Sequence, residues 1–114
     1  MSKRDHRLLL EDIIEAVDKV FSYTDGIEFS EFEGDSKTID AVIRNFEIIG
    51  EAAHQLPGAL QDKYAEVEWN RIIGLRNRIV HEYFGVDLHI IWNIISNNLG
   101  EMKKQIEVVL EKES

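Results

Sequence analysis

Apolar positions recur at helical spacing in four stretches of the chain, with little strand-like alternation of β-branched residues. In the first, Leu10, Ile13, Ile14, Val17, Val20 and Phe21 share a stripe, while Glu11, Asp12, Glu15, Asp18 and Lys19 fall outside it. This predicts a helix from about Asp5 to Tyr23, ended by the turn chemistry of Thr24-Asp25-Gly26. Glu28 to Gly34, acidic but carrying Phe29 and Phe32, reads as a connector with at most one helical turn. Asp35 or Ser36 can cap a second helix reaching about Gln55, with Ile39, Val42, Ile43, Phe46, Ile49, Ala53 and Leu56 as its stripe. Gly50 also lies in that stripe. A glycine there costs a helix about 1 kcal/mol, so it predicts the close approach of another backbone. Leu56-Pro57-Gly58 stops the helix, and Ala59 to Glu66 is a short amphipathic piece turning Leu60, Tyr64 and Val67 toward the body.

A third helix is expected from about Glu68 to Tyr83, its stripe made of Trp69, Ile72, Ile73, Ile79, Val80 and Tyr83. At about 100° per residue, Arg76 lands near the middle of that stripe, where leucine would be expected. An unpaired buried guanidinium is very costly, so Arg76 is either paired inside the fold or faces a cleft. Phe84-Gly85-Val86 breaks the chain, and a fourth helix starts near Asp87 as N-cap. Leu88, Trp92, Ile95, Leu99, Met102, Ile106 and Val109 alternate steps of four and three, the seam of a bundle. Ile90, Ile91 and Ile94 lie outside that seam, which predicts a second partner and hence a dimer. The whole, residues 1–114, reads as one all-α domain: an antiparallel four-helix bundle with an extra short helix.

Composition narrows the chemistry. With 44% hydrophobic and 31% charged residues, the chain is of globular type. It has no cysteine, hence no disulfide, thiolate zinc site or cysteine nucleophile, in keeping with a cytoplasmic location. No apolar run approaches the roughly 18 residues of a membrane span, and no signal-peptide pattern opens the chain. The net charge of −9 argues against coating nucleic acid by bulk electrostatics. Yet residues 69–81 hold Arg71, Arg76 and Arg78 and no acid, leaving the rest of the chain at −12, three units beyond the overall −9. A small basic island on an acidic body suits local phosphate contact, although three arginines on a solvated face would look the same.

His81 follows Arg76 by five residues, and histidine suits proton transfer near neutrality. The spacing alone is more often a structural ion pair or a helix-end histidine. On an ideal helix the two side chains point about 140° apart, so they converge only if the helix end distorts or facing helices of a dimer share the site. Glu51 and His54 form a Glu-x-x-His pair, with Glu47 one turn earlier. Di-iron bundles need two such pairs, so this row reads as solvated or interfacial, and no metal or cofactor is expected. His6 and His89 have no ligand-spaced companions. There is no Gly-rich phosphate loop, GxSxG or HExxH.

With these residues in place, the chain resembles the HepT-like (DUF86) proteins of the HEPN superfamily over nearly its whole length. Asn45-Phe46-Glu47-Ile48-Ile49-Gly50-Glu51-Ala52 is similar to that family's second-helix motif. Trp69 to Tyr83 is similar to its third helix, and Arg76-x4-His81-x-Tyr83 matches its signature, with Asn77 as the polar residue after the arginine. The resemblance implies a HEPN bundle that dimerises with the motif in a cleft between subunits. It implies a metal-independent ribonuclease acting as the toxin of a toxin–antitoxin pair, with Arg76 and His81 catalytic and Asn77 and Tyr83 supporting. It further implies a minimal nucleotidyltransferase antitoxin that transfers AMP to Tyr83. Two other readings remain at this stage: a non-catalytic helical adaptor presenting a substrate or nucleotide to a nucleotidyltransferase, and a purely structural bundle, which leaves Arg76 unexplained.

Overall fold

The computed structural model describes residues 4–81 and 85–114; of Arg76, Ile79, Val80, His81 and Val86 it describes the backbone but not the side chain. The fold is an all-α, HEPN-like bundle. Its elements are α1 (His6–Thr24), α2 (Phe29–Glu33), α3 (Ser36–Gln55), α4 (Gly58–Lys63), α5 (Trp69–Ile73), α6 (Leu75–Ile79), β1 (Val80–His81), β2 (Gly85–Val86), α7 (Leu88–Asn97) and α8 (Leu99–Glu113). Helices α1, α3 and α7 begin where short polar side chains take the first free N–H groups. Asp5 accepts from the Arg7 amide, Asp35 from Thr38, and Asp87 from His89 and Ile90.

Helix α1 packs against both α3 and α8. Leu10, Ile13, Val17 and Val20 meet Val42, Phe46, Ile49 and Ala53, together with Leu99, Ile106 and Val109, in one continuous core. The connector before α3 contributes more than a tether: α2 is stabilised by a Glu28/Glu31 capping box and buries Phe32 completely. The α4 end is tied to the C-terminal helix, where the Glu113 carboxylate accepts from the Tyr64 hydroxyl at 2.5 Å and from Lys63 Nζ at 3.0 Å. Those two donors hold the Glu113 carboxyl below its ordinary range. Trp69 Nε1 donates to the Tyr64 carbonyl at 3.0 Å, which fixes where α5 leaves this end.

Two expected helices are each interrupted once. The third does not run on to Tyr83. It stops at Ile73, turns through Gly74 (φ −86°, ψ 10°), restarts as α6 and ends at Ile79. Val80 and His81 then pair antiparallel with Val86 and Gly85. The fourth is divided at Asn98 (φ −120°, ψ −36°) into α7 and α8.

The second division corrects the reading of the isoleucines. Ile91 and Ile94 are fully buried in the chain's own core, and Ile90 is half-buried against it. α7 is covered on two sides by its own chain, by α6 and by the Phe29 and Phe32 rings that meet Trp92. Its apolar breadth therefore gives no ground for a dimer. Among the described residues, no helix is long and apolar enough to cross a membrane.

Candidate active-site cleft

Gly50 sets the geometry of the site. A Cβ built there would lie 3.0 Å from the Ile73 carbonyl oxygen and 3.5 Å from that of Ile72. α3 thus meets the α5–α6 turn backbone to backbone, the close approach its sequence predicts. The contact lays α6 alongside α3, so that residues distant in sequence face one opening.

That opening is a cleft of about 530 Å³ between α1, α3 and the α5–α6 turn. α3 lines it with Arg44, Glu47, Glu51 and His54, and α6 contributes Asn77, which is exposed. The α1 wall carries Asp12, gripped by Arg4 through Nε at 2.8 Å and Nη2 at 3.1 Å. The fork-on-carboxylate pair raises the pKa of Arg4 above its ordinary value, chiefly through the hydrogen bond. Asn45, the polar residue of the α3 motif that is buried, turns away from this role and donates to the Ala41 carbonyl at 2.8 Å.

The sequence-predicted residues are thus partly assembled. Asn77 lies on the cleft, and Glu47, Glu51 and His54 line it as a row. Among the described residues no three histidine or acidic groups come together as a metal site. Arg76 precedes Asn77 on α6, and His81 sits in β1 just beyond the helix; their side chains, and Tyr83 altogether, lie outside the described residues. One expectation changes: His81 is not on a helix, so helical angles do not relate it to Arg76. The expected place of Arg76 in an apolar stripe concerns a side chain outside the described residues. The helix is broken at Gly74, and Leu75, which that stripe did not include, is buried at 2% exposure. Sequence reasoning misses Leu75 for that reason, and misses Arg44 and the Arg4–Asp12 pair because nothing local links them to α6.

Gly85, whose partner in the strand pair is His81, has φ +77° with open space where a Cβ would be. Its cost on substitution is therefore purely conformational, about 1–2 kcal/mol for a residue with a side chain, less for asparagine. Gly85→Ala is expected to lower the melting temperature, with Gly85→Asn between it and the parent. Equal behaviour of all three proteins in thermal unfolding would show that this turn does not hold the β1 register.

A family model described as ribonuclease HepT-like matches residues 13–109. The chain belongs to the HepT-like ribonuclease family. A Methanocaldococcus jannaschii protein named "Putative RNase" is 38% identical over 109 residues, which cover 96% of this chain and all of that protein. A second M. jannaschii protein of the same designation is 40% identical over 111 residues, 97% of this chain and 92% of the relative. "Probable ribonuclease HepT" of Thermococcus cleftensis is 37% identical over 105 residues, 92% of this chain and 96% of the relative. No solved structure matches. The designations of these relatives support ribonuclease function for the family.

Proposed function

We propose that this protein is a metal-independent endoribonuclease, the toxin of a toxin–antitoxin pair, with Arg76 and His81 as its catalytic residues and Asn77 and Tyr83 in support. The observation that carries this reading is the cleft itself. The two segments that resemble the family, Asn45 to Ala52 on α3 and the start of the motif on α6, both reach one opening, the first through Glu47, Ile48, Gly50, Glu51 and Ala52 and the second through Asn77.

Cleavage by the ribose 2′-hydroxyl forms a bond from that oxygen to phosphorus and breaks the bond to the 5′-oxygen. It needs a base for the 2′ proton, an acid for the departing oxygen and a cation at the phosphate. Arg76 supplies the cation in bidentate geometry, and His81 supplies proton transfer. One histidine cannot stand on both sides of the phosphorus, so the reading requires a homodimer with two copies of His81 facing one phosphate. The partner is a minimal nucleotidyltransferase, the site of action is the cytoplasm, and no cofactor takes part. In neutralisation the Tyr83 hydroxyl oxygen attacks the α-phosphorus of ATP, pyrophosphate leaves, and AMP stays on the tyrosine. The added charge and bulk beside His81 would then exclude RNA.

The test is the intact mass of the protein co-produced with a genomically adjacent nucleotidyltransferase, beside Tyr83→Phe. The expected result is a gain of one or more AMP units that is absent from the variant, with RNA cleavage in EDTA confined to the unmodified protein. A stable complex of unmodified mass and no cleavage by either partner alone would replace this reading with that of a non-catalytic adaptor.

A further inference from the structure

α6 has a second cleft beside it, separate from the one lined by Asn77. It measures about 200 Å³ and lies where the α5–α6 segment meets the α7–α8 break. Its floor is apolar, built from Leu75, Ile94, Leu99 and Met102. Its rim is polar and unusually free. Arg78 is half-buried there, and among the described residues its guanidinium makes no hydrogen bond or ion pair. Burial, and after it the neighbouring Arg71, press its pKa down, with Glu68 opposing; Glu68 pairs with Arg71 at 3.0 Å. Asn98 occupies the N-cap position of α8 but its side chain makes no capping bond. Asn97 donates to Asn93 at 2.7 Å through Nδ2, which leaves its carbonyl oxygen available, and Gln105 completes the amide edge.

We propose that this cleft is a base-recognition subsite of the same RNA site: it takes one unstacked nucleobase of a single strand, with Arg78 on an adjoining phosphate. The inference rests on the ribonuclease reading above and adds the residues that choose where the strand is cut. Three observations support it. A carboxamide offers a donor and an acceptor side by side, the pattern presented by a base edge, and an arginine plane or apolar floor suits its faces. The volume falls below the about 300–1,000 Å³ of pockets that enclose a whole ligand, so it fits a part of a larger one. Its place on α6 connects it to the chemistry. Asn77 and Arg78 are consecutive residues about 100° apart around one helix, each on its own cleft. A strand passing the end of α6, where the chain continues to His81, would reach both openings with neighbouring nucleotides. The acids on the rim, Glu68 and Glu101, disfavour a bare phosphate in the floor and are compatible with base amino groups.

The experiment uses full-length His81→Ala protein with labelled methyl groups, titrated with a mixed-sequence single-stranded oligoribonucleotide and, separately, with the four nucleoside 5′-monophosphates. The methyls of Ile94, Leu99 and Met102 report on this cleft, and those of Ile48 and Ile73 on the larger one. The oligonucleotide is expected to shift both sets. Arg78→Met and, independently, Gln105→Ala are expected to weaken the response at Ile94 and Leu99 about tenfold, the usual worth of one charged or well-placed polar contact. Shifts confined to Ile48 and Ile73 would overturn the subsite and leave the ribonuclease reading standing. Monophosphates binding here as tightly as the strand would overturn it in favour of a free-nucleotide site. No shift at any of these methyls would overturn the RNA reading of both clefts.

Discussion

Replacing His81 with alanine is expected to reduce RNA cleavage by about 10²–10⁴-fold, the contribution of a positioned proton-transfer group. Arg76→Ala is expected to fall within the same range, since it would remove the charge at the phosphate rather than the proton relay. The double variant should be hardly worse than either single one. Groups that act on the same transition state as a unit lose nearly everything when one is missing. Cleavage rates in EDTA for the three proteins, beside circular dichroism spectra that certify folding, make the comparison. Retention of full activity by His81→Ala would remove the motif from the chemistry. Multiplying losses in the double variant would instead make Arg76 and His81 independent contributors.

The second large effect is expected at Gly50, where the damage is mechanical. Gly50→Val puts a branched side chain where even a Cβ would meet the Ile73 carbonyl at 3.0 Å. Both nearest atoms belong to backbone, so no rotamer change in a neighbour can relieve the contact. The α5–α6 turn must move away from α3. Overpacking of this kind costs about 1–3 kcal/mol, or several degrees of melting temperature in a domain of this size. Cleavage should fall further than stability alone accounts for, because the displaced segment carries Arg76 and Asn77. Gly50→Ala tests the same contact against the helix-propensity gain of about 1 kcal/mol, and is expected to come out closer to neutral in stability while still slowing cleavage. Gly58 provides the contrast, with open space within 4 Å of where an added methyl group would sit, and Gly58→Ala should unfold within about 0.5 kcal/mol of the parent. If Gly50→Val melts and cleaves like the parent, α3 does not hold the α5–α6 turn in place.

Much of this protein is written in local pattern. The stripes of α1 and α3, the caps at Asp35 and Asp87, the stop at Leu56-Pro57-Gly58 and the close approach at Gly50 each follow from side-chain spacing or backbone chemistry within a few residues. The motif from Arg76 to Tyr83 is legible too, as is the family it points to. What local pattern cannot supply is continuity. A helical wheel drawn from Trp69 to Tyr83 assumes one unbroken helix, and the helix is broken at Gly74, which is why such a wheel overlooks Leu75. Nor can apolar breadth say which surface covers it. Ile91 and Ile94 read as a face for a partner, yet the same chain encloses them, since α6 and the α2 aromatics arrive from elsewhere in the sequence.

The sequence by itself therefore determined α1 and α3, the caps at Asp35 and Asp87 and the signature residues, because those depend on contacts between near neighbours. Only the tertiary structure decided that α3 and α6 share a cleft, that His81 leaves the helix for a strand pair, and that Asn77 and Arg78 face two different openings. Those outcomes depend on how separate helices stack and where their backbones touch, a balance of packing across the whole domain that no single stretch contains.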